Sequence, residues 1–208
     1  MKGQERDLQR KRIFDVCVSL FALLFFAPLF LWIAVWIKVT SEGPVFFLQS
    51  RLGKEGKEFK ILKFRTMVVN AEQLGTGLKV EGDFDERITK AGHFLRRTSL
   101  DELPQLLNVL YGDMSLVGPR PPATYHPYEG YERYPEWAKK RFAMRPGITG
   151  LAQVKVRNSA TWEERIRYDV KYVERFHLAL DMRILFCTVR QVIKKENIYA
   201  EKQKHHLG

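Results

Sequence analysis

The sequence predicts an α+β fold in which a bent apolar helix at the N-terminus leads into a small globular domain. Three observations carry that expectation. Val16 to Ile37 is a run of 22 residues without a charge, interrupted by Pro28. Two short aromatic and β-branched runs, 44–49 and 59–67, flank a glycine- and lysine-rich turn and read as a hairpin. From residue 100 onward, apolar positions recur at helical spacing.

The apolar run comes first. At about 1.5 Å per residue its length matches a hydrocarbon core roughly 30 Å thick. A cleaved signal peptide fits poorly, because Glu5, Asp7 and Asp15 lie among the basic residues and no small-x-small site follows. Pro28 removes a backbone donor and divides the run into arms of twelve and ten residues, neither long enough to cross alone. Basic residues stand on both sides, Lys2 to Arg12 before and Lys38, Arg51, Lys54 and Lys57 after, so charge assigns no orientation. Two readings stay open on these residues: a kinked spanning helix, or one that enters, bends and leaves by the same face. Trp32 and Trp36 suit the interface in either.

After the hairpin, residues 70–90 carry Gly75, Gly77 and Gly82 and read as a loop. A helix is expected from about Leu100 to Tyr111, then "GDMSLVGPRPP", which its prolines force into extended or turn geometry. Further helices are expected over 135–144, 161–175 and 180–195; the last is amphipathic, and packing on the domain is its expected use, with lipid as the rival. Cys17 and Cys187 have neither disulfide nor metal spacing and read as packing residues.

With 208 residues and 45% hydrophobic content the chain can bury a core. Its net charge of +11 favours polyanionic partners: nucleic acid, anionic lipid or phosphorylated small molecules. Residue chemistry narrows this at "RRTSLDELPQLLNVL", 96–110, where Asp101 and Glu102 adjoin Arg96 and Arg97. Ser99 and Glu102 have capping-box spacing, while a cap at Asp101 places Pro104 safely in the first turn. In either register the helix terminus favours ionised carboxylates. An ionised carboxylate can attack phosphorus when cations offset the repulsion, forming an acyl phosphate.

The chain resembles the bacterial sugar transferases, the small monotopic polyprenol-phosphate phosphoglycosyl transferases. The resemblance runs through "KRIFDV" (11–16), the proline-broken apolar segment, "KFRTM" (63–67), "LRRTSLDELPQLLNVLYGDMSLVGPRP" (95–121), "RPGITGLAQV" (145–154) and "YDVKYVERFHLALDMRIL" (168–185). It implies a re-entrant membrane helix joined to a small cytoplasmic catalytic domain with a β-hairpin and several amphipathic helices. The expected division is 1–40 for the basic N-terminus and re-entrant helix, 41–200 for the catalytic domain and 201–208 for a basic tail. Family members often carry Ser-Pro at the bend; Ala27 here removes a hydroxyl that could satisfy freed backbone groups.

The implied reaction transfers a sugar 1-phosphate from a UDP-sugar to undecaprenyl (polyprenyl) phosphate at the cytoplasmic face of the bacterial inner membrane, releasing UMP. By resemblance, Asp101 is the nucleophile that holds a covalent phospho-sugar, and Glu102 helps to coordinate Mg²⁺. Arg96 orients Asp101. Pro119, Arg120 and Pro121 shape the nucleotide site, Lys63 and Arg145 contact phosphate, and Asp169 is a further metal candidate. The segment 135–144, with Trp137 and Phe142 beside Lys139, Lys140 and Arg141, is expected in the headgroup layer. Two other classes compete: a membrane-tethered nucleic-acid-binding protein, which lacks any helix-turn-helix, RNP or zinc motif here, and a non-catalytic membrane adaptor.

Overall fold

A computed structural model describes residues 2–74, 85–156 and 160–194. The glycines of the expected loop at 75, 77 and 82, the end of the last helix at 195 and the basic tail 201–208 lie outside them. The chain starts with two helices, α1 (Lys2–Phe25) and α2 (Ala27–Thr40), bent by 61°. Among the described residues no single helix is long and apolar enough to cross a membrane; the bent pair together meets that length and composition. The break falls at Phe26 rather than at Pro28, which sits inside the first turn of α2. The reason is steric: the ring opposes the carbonyl four residues earlier, so the chain yields upstream of the proline.

Each helix has an inner and an outer face. Ile33 and Ile37 of α2 are fully buried against Phe64, Ala91 and Leu95, while Leu31, Trp32, Val35 and Val39 are exposed. On α1 the inner side carries both kinds of residue: Phe14, Val18, Ala22 and Leu23 pack on the core while Lys11, Asp15 and Ser19 are buried, with Phe21, Leu24 and Phe25 outside. A buried charge needs partners. Lys11 Nζ meets Asp181 Oδ2 at 2.5 Å, Asp181 Oδ1 accepts from Tyr172 Oη at 2.7 Å, and Asp15 accepts from Ser115 Oγ at 2.6 Å. These bonds join the first helix to the far end of the chain.

The hairpin is as expected in type, shifted in extent. β1 (Phe46–Leu52) pairs antiparallel with β2 (Glu58–Phe64), Phe46 opposite Phe64 and Leu52 opposite Glu58. The turn needs a left-handed residue at Gly56 (φ 74°), where a Cβ would also meet the Tyr131 ring at 2.3 Å. Buried Arg65 binds the carbonyls of Ser41, Glu42 and Pro44, locking the link between α2 and β1.

Three elements escaped the pattern. α3 (Lys90–Thr98) is capped by Thr89, whose Oγ1 accepts from Gly92 N at 3.0 Å. Gly92 in its first turn lies against Thr66, and its charges hide the apolar spacing. β3 (Ser115–Val117) pairs in parallel with β4 (Gly147–Thr149), strands too short to show a period. The helix expected from Leu100 starts later: Ser99 is left-handed (φ 56°), Leu100–Glu102 form a 3-10 turn, and α4 is Gln105–Tyr111.

Of the remaining elements, α5 (Glu136–Lys139) runs into a 3-10 turn at Lys140–Ala143, followed by α6 (Leu151–Lys155), α7 (Trp162–Glu174) and α8 (Leu178–Lys194). Leu106, Leu116, Val117, Met144, Tyr172 and Ile184 form the main core between α1, α4, α7 and α8. The headgroup expectation for 135–144 is corrected in part: Arg141 and Phe142 are buried, because Arg141 pairs with Asp169, while Trp137 and Lys140 keep outward positions, beside Arg167 and Glu174. Cys17 and Cys187 are exposed, not packed, since each lies on the outer face of its helix. α8 both packs, through Asp181 and Ile184, and presents Phe186, Val189 and Ile193 outward.

Candidate active site

Asp101 and Glu102 sit in the 3-10 turn between α3 and α4. Left-handed Ser99 ends α3 and turns the chain; Pro104, lacking an N–H, stands at the start of α4 where no donor is required. Neither capping register expected from the sequence is formed. Glu102 N donates to the Ser99 backbone carbonyl at 3.3 Å, and no side chain caps the turn.

The neighbours are cations from other parts of the chain. Lys63, on β2, places Nζ 2.7 Å from Glu102 Oε1. Arg96, at the end of α3, is held by Thr66, its Nε donating to Oγ1 at 2.9 Å, and acts on Asp101 through its charge rather than through a hydrogen bond. Arg120 and Arg51 act on Glu102 in the same way.

These surroundings divide the pair. Burial pushes the Asp101 carboxyl up to about 6, Glu102 adds to the rise, and Lys63 and Arg96 only partly oppose it. Burial acts on Glu102 as well, but Lys63, Arg120 and Arg51 outweigh it and hold that carboxyl down at about 2. The expectation that the helix terminus keeps both carboxylates readily ionised is therefore corrected for Asp101, where desolvation wins. Above about pH 7 both are mainly anionic, with Asp101 the more basic and the better nucleophile.

The Pro-Arg-Pro turn is pinned at each carbonyl. Pro119 O accepts from Gly147 N at 2.9 Å, Arg120 O from Arg141 Nη2 at 2.6 Å and Pro121 O from Arg51 Nη1 at 3.1 Å. The Arg120 side chain then lines a cavity of about 510 Å³ together with Glu102 and Asp169. Not every expected residue converges. Arg145 is exposed, donates to Gly112 O at 2.8 Å and does not line this cavity. Asp169 is buried and bound to Arg141 Nη2 at 2.5 Å.

Sequence reasoning missed Arg51, Thr66, Arg141 and Arg165 because their partners are distant in the chain. The one available signal was Arg51, a charged residue inside an expected hairpin.

Among the described residues no three His, Cys, Asp or Glu side chains gather into a metal cage. Mg²⁺ does not require one, since it is commonly held by one or two carboxylates plus substrate phosphates and water. Ionised Glu102, at the cavity wall, fits that mode.

A carboxylate pair of divided basicity, ringed by cations and set beside a bent apolar helix pair, defines a site for a phosphate-bearing reactant. Residues 6–195 match the family described as bacterial sugar transferase, and the chain belongs to it. It is 44% identical over 195 residues to a UDP-glucose:undecaprenyl-phosphate glucose-1-phosphate transferase of Caulobacter vibrioides, covering 91% of this chain and 72% of that one. It is 47% identical over 191 residues to an exopolysaccharide production protein of Rhizobium leguminosarum (88% and 94% covered) and 40% identical over 203 residues to an undecaprenyl-phosphate galactose phosphotransferase of Salmonella typhimurium (91% and 41% covered). The chain spans less than half the length of several curated relatives it matches.

Proposed function

We propose that this protein transfers a sugar 1-phosphate from a UDP-sugar to undecaprenyl phosphate, through a phospho-sugar carried on Asp101, with release of UMP. The observation that carries the reading is the adjacent carboxylates with Lys63 Nζ 2.7 Å from Glu102 and Arg120 lining the same cavity, an arrangement in which burial raises Asp101 while the cations lower Glu102. A nucleophile needs basicity, and a phosphate needs compensating charge; the pair and its cations supply one each.

Asp101 attacks the phosphorus nearest the sugar. The phosphoanhydride bond breaks, UMP leaves with the bonding electron pair, and the sugar phosphate remains as an acyl phosphate. An oxygen of undecaprenyl phosphate then attacks the same phosphorus and the Asp101 carboxylate departs, leaving a diphosphate-linked sugar. One anhydride replaces another, so no nucleoside triphosphate is consumed. Lys63, Arg96 and Arg120 offset the charge of the reacting phosphates. Glu102 is the residue to hold Mg²⁺, which would supply further charge neutralisation when bound; Asp169, committed to Arg141, is the weaker candidate.

The activities for which the relatives are named support this chemistry, and the bent helix pair supports its location. A water-soluble donor and a lipid phosphate meet only at an interface. A pair that enters and leaves by the cytoplasmic face of the inner membrane would hold the carboxylates at that level, with Trp32 and the outer faces of α1 and α2 in lipid. The test is UMP release by the purified full chain with Mg²⁺, undecaprenyl phosphate and a panel of UDP-sugars, beside Asp101→Asn. Turnover lost in the variant, with an adduct on Asp101 in wild-type protein by intact-mass spectrometry, is the expected result. No release from any donor by folded, lipid-associated protein rejects the activity and leaves a membrane adaptor; equal release in the variant would exclude the phospho-sugar on Asp101.

A further inference from the structure

The cavity that begins at Glu102 continues to a group of buried polar atoms that the proposed chemistry does not use. Arg141 and Asp169 are almost wholly buried, at 2% and 1% exposure. Their ion pair uses Arg141 Nη2 and Asp169 Oδ2; the Tyr134 hydroxyl stands beside the guanidinium and the Arg120 backbone beside the carboxylate, yet Arg141 Nε and Nη1 and Asp169 Oδ1 make no well-formed hydrogen bond. Arg165 Nε and Gln153 Oε1 are also buried and unpartnered, although Gln153 Nε2 donates to Ile148 O at 3.1 Å. All four residues line the cavity, as does Trp162, whose ring lies 5.3 Å from the Arg165 guanidinium.

Buried polar atoms are ordinarily hydrogen-bonded, and leaving several unmet along one wall is costly. Here three donors and two acceptors point to a ligand that both accepts and donates. They come from the 3-10 turn after α5, from α6 and from α7, so they approach from several directions. A planar base edge meets its partners in one plane. Hydroxyl groups around a sugar ring, each both donor and acceptor, suit this set better, and an aromatic ring such as Trp162 suits the C–H face of a sugar.

Position agrees with chemistry. In the proposed reaction the sugar is bonded to the phosphate that Asp101 attacks, whereas the base lies beyond a second phosphate and a ribose. The cavity meets the carboxylate pair at Glu102, although Asp101 itself does not line it, so the group bonded to the attacked phosphate is the part of the donor nearest to it. We infer that Gln153, Trp162, Arg165 and the Arg141–Asp169 pair form the subsite that holds the hexose of the donor and selects among sugars. This rests on the transferase reading, and it gives Asp169 a sugar-binding rather than a metal-binding role. Relatives named for glucose, galactose and N-acetylgalactosamine transfer are similarly close to the chain, so overall similarity does not choose the sugar and a local subsite must.

Gln153→Ala and Trp162→Phe are the variants of choice, since neither residue belongs to the buried ion pair. UMP release is measured with UDP-glucose, UDP-galactose and UDP-N-acetylgalactosamine, with UMP inhibition measured in parallel and folding checked by thermal unfolding. The expected result is a change of about tenfold in the ratio of kcat/KM between donors, the scale of one lost hydrogen bond, with UMP inhibition unaltered. Equal losses on every donor overturn the inference. So does weakened UMP inhibition, which would assign this end to the nucleotide. A second measurement separates failure of the transferase reading. If wild-type protein releases no UMP from any donor, hexose 1-phosphate should still raise the unfolding temperature more than inorganic phosphate does, and less so in Gln153→Ala; equal protection by the two anions overturns the sugar subsite independently.

Discussion

Replacing Asp101 by Asn should abolish turnover and at the same time make the protein more stable. The sign follows from the raised carboxyl. An Asp whose folded value lies above its unfolded one is ionised more easily in the unfolded chain, so its charge opposes folding at neutral pH. The difference between 3.8 and about 6 corresponds to at most about 3 kcal/mol, and partial solvent access of the side chain makes about 1–3 kcal/mol the working figure. For a domain of this size that is an increase in Tm of roughly 2–10 °C. The gain belongs to the ionised form, so it should be complete above about pH 6 and vanish below about pH 4. The assay is thermal unfolding of wild-type and Asp101→Asn protein in the same lipid nanodiscs, at pH 4 and pH 7.5. An Asp acting only at a helix terminus would behave oppositely, losing about 0.5–2 kcal/mol on replacement at neutral pH. A destabilised Asp101→Asn variant at pH 7.5 would refute the claim that burial against a second carboxylate sets the character of this residue.

Three other outcomes follow from the same structure. Lys63→Met should move the acid limb of the UMP-release pH profile upward from about 6, because it removes the largest charge opposing the rise at Asp101; an unmoved limb would assign that limb to another group. Gly92→Ala should be strongly destabilising, since the new Cβ would lie 1.9 Å from Thr66 O; overpacking of this kind costs about 1–3 kcal/mol or more, and displacing Thr66 should also release Arg96 and lower kcat. Lys11→Met should cost about 3–5 kcal/mol, because it leaves Asp181 buried without its counter-ion; the double variant Lys11→Met, Asp181→Leu should recover most of that loss in chemical denaturation, and no recovery would argue against the pair.

Much of the site was legible because its chemistry is local. Asp101 and Glu102 adjoin each other, Arg96 lies one helical turn and a half upstream, and Pro119 to Pro121 is stiff wherever it is placed. The hairpin and the long helices α7 and α8 were legible for a similar reason, since a period of two or 3.6 needs only near neighbours. α3 was not, because Gly92 is there to let Thr66 approach and four basic or imidazole side chains mask its inner face. Arg145 illustrates the limit of motif reasoning: it adjoins a proline-glycine turn as expected, yet its side chain is directed to Gly112, away from the cavity.

Composition and order along the chain determined that there would be an apolar bent segment, a cationic domain and a carboxylate pair at a helix start. Tertiary structure alone decided which carboxylate would be basic. That depends on how much water each loses and which cations come near, and Lys63, Arg51 and Arg120 reach Glu102 from β2, β1 and the proline turn. It also decided that Arg141 and Asp169 would be buried together at a cavity wall rather than spread over a surface helix and a metal site. Charge and sequence spacing are properties of the chain, but desolvation is a property of the packed volume, and the reactivity of this site rests on desolvation.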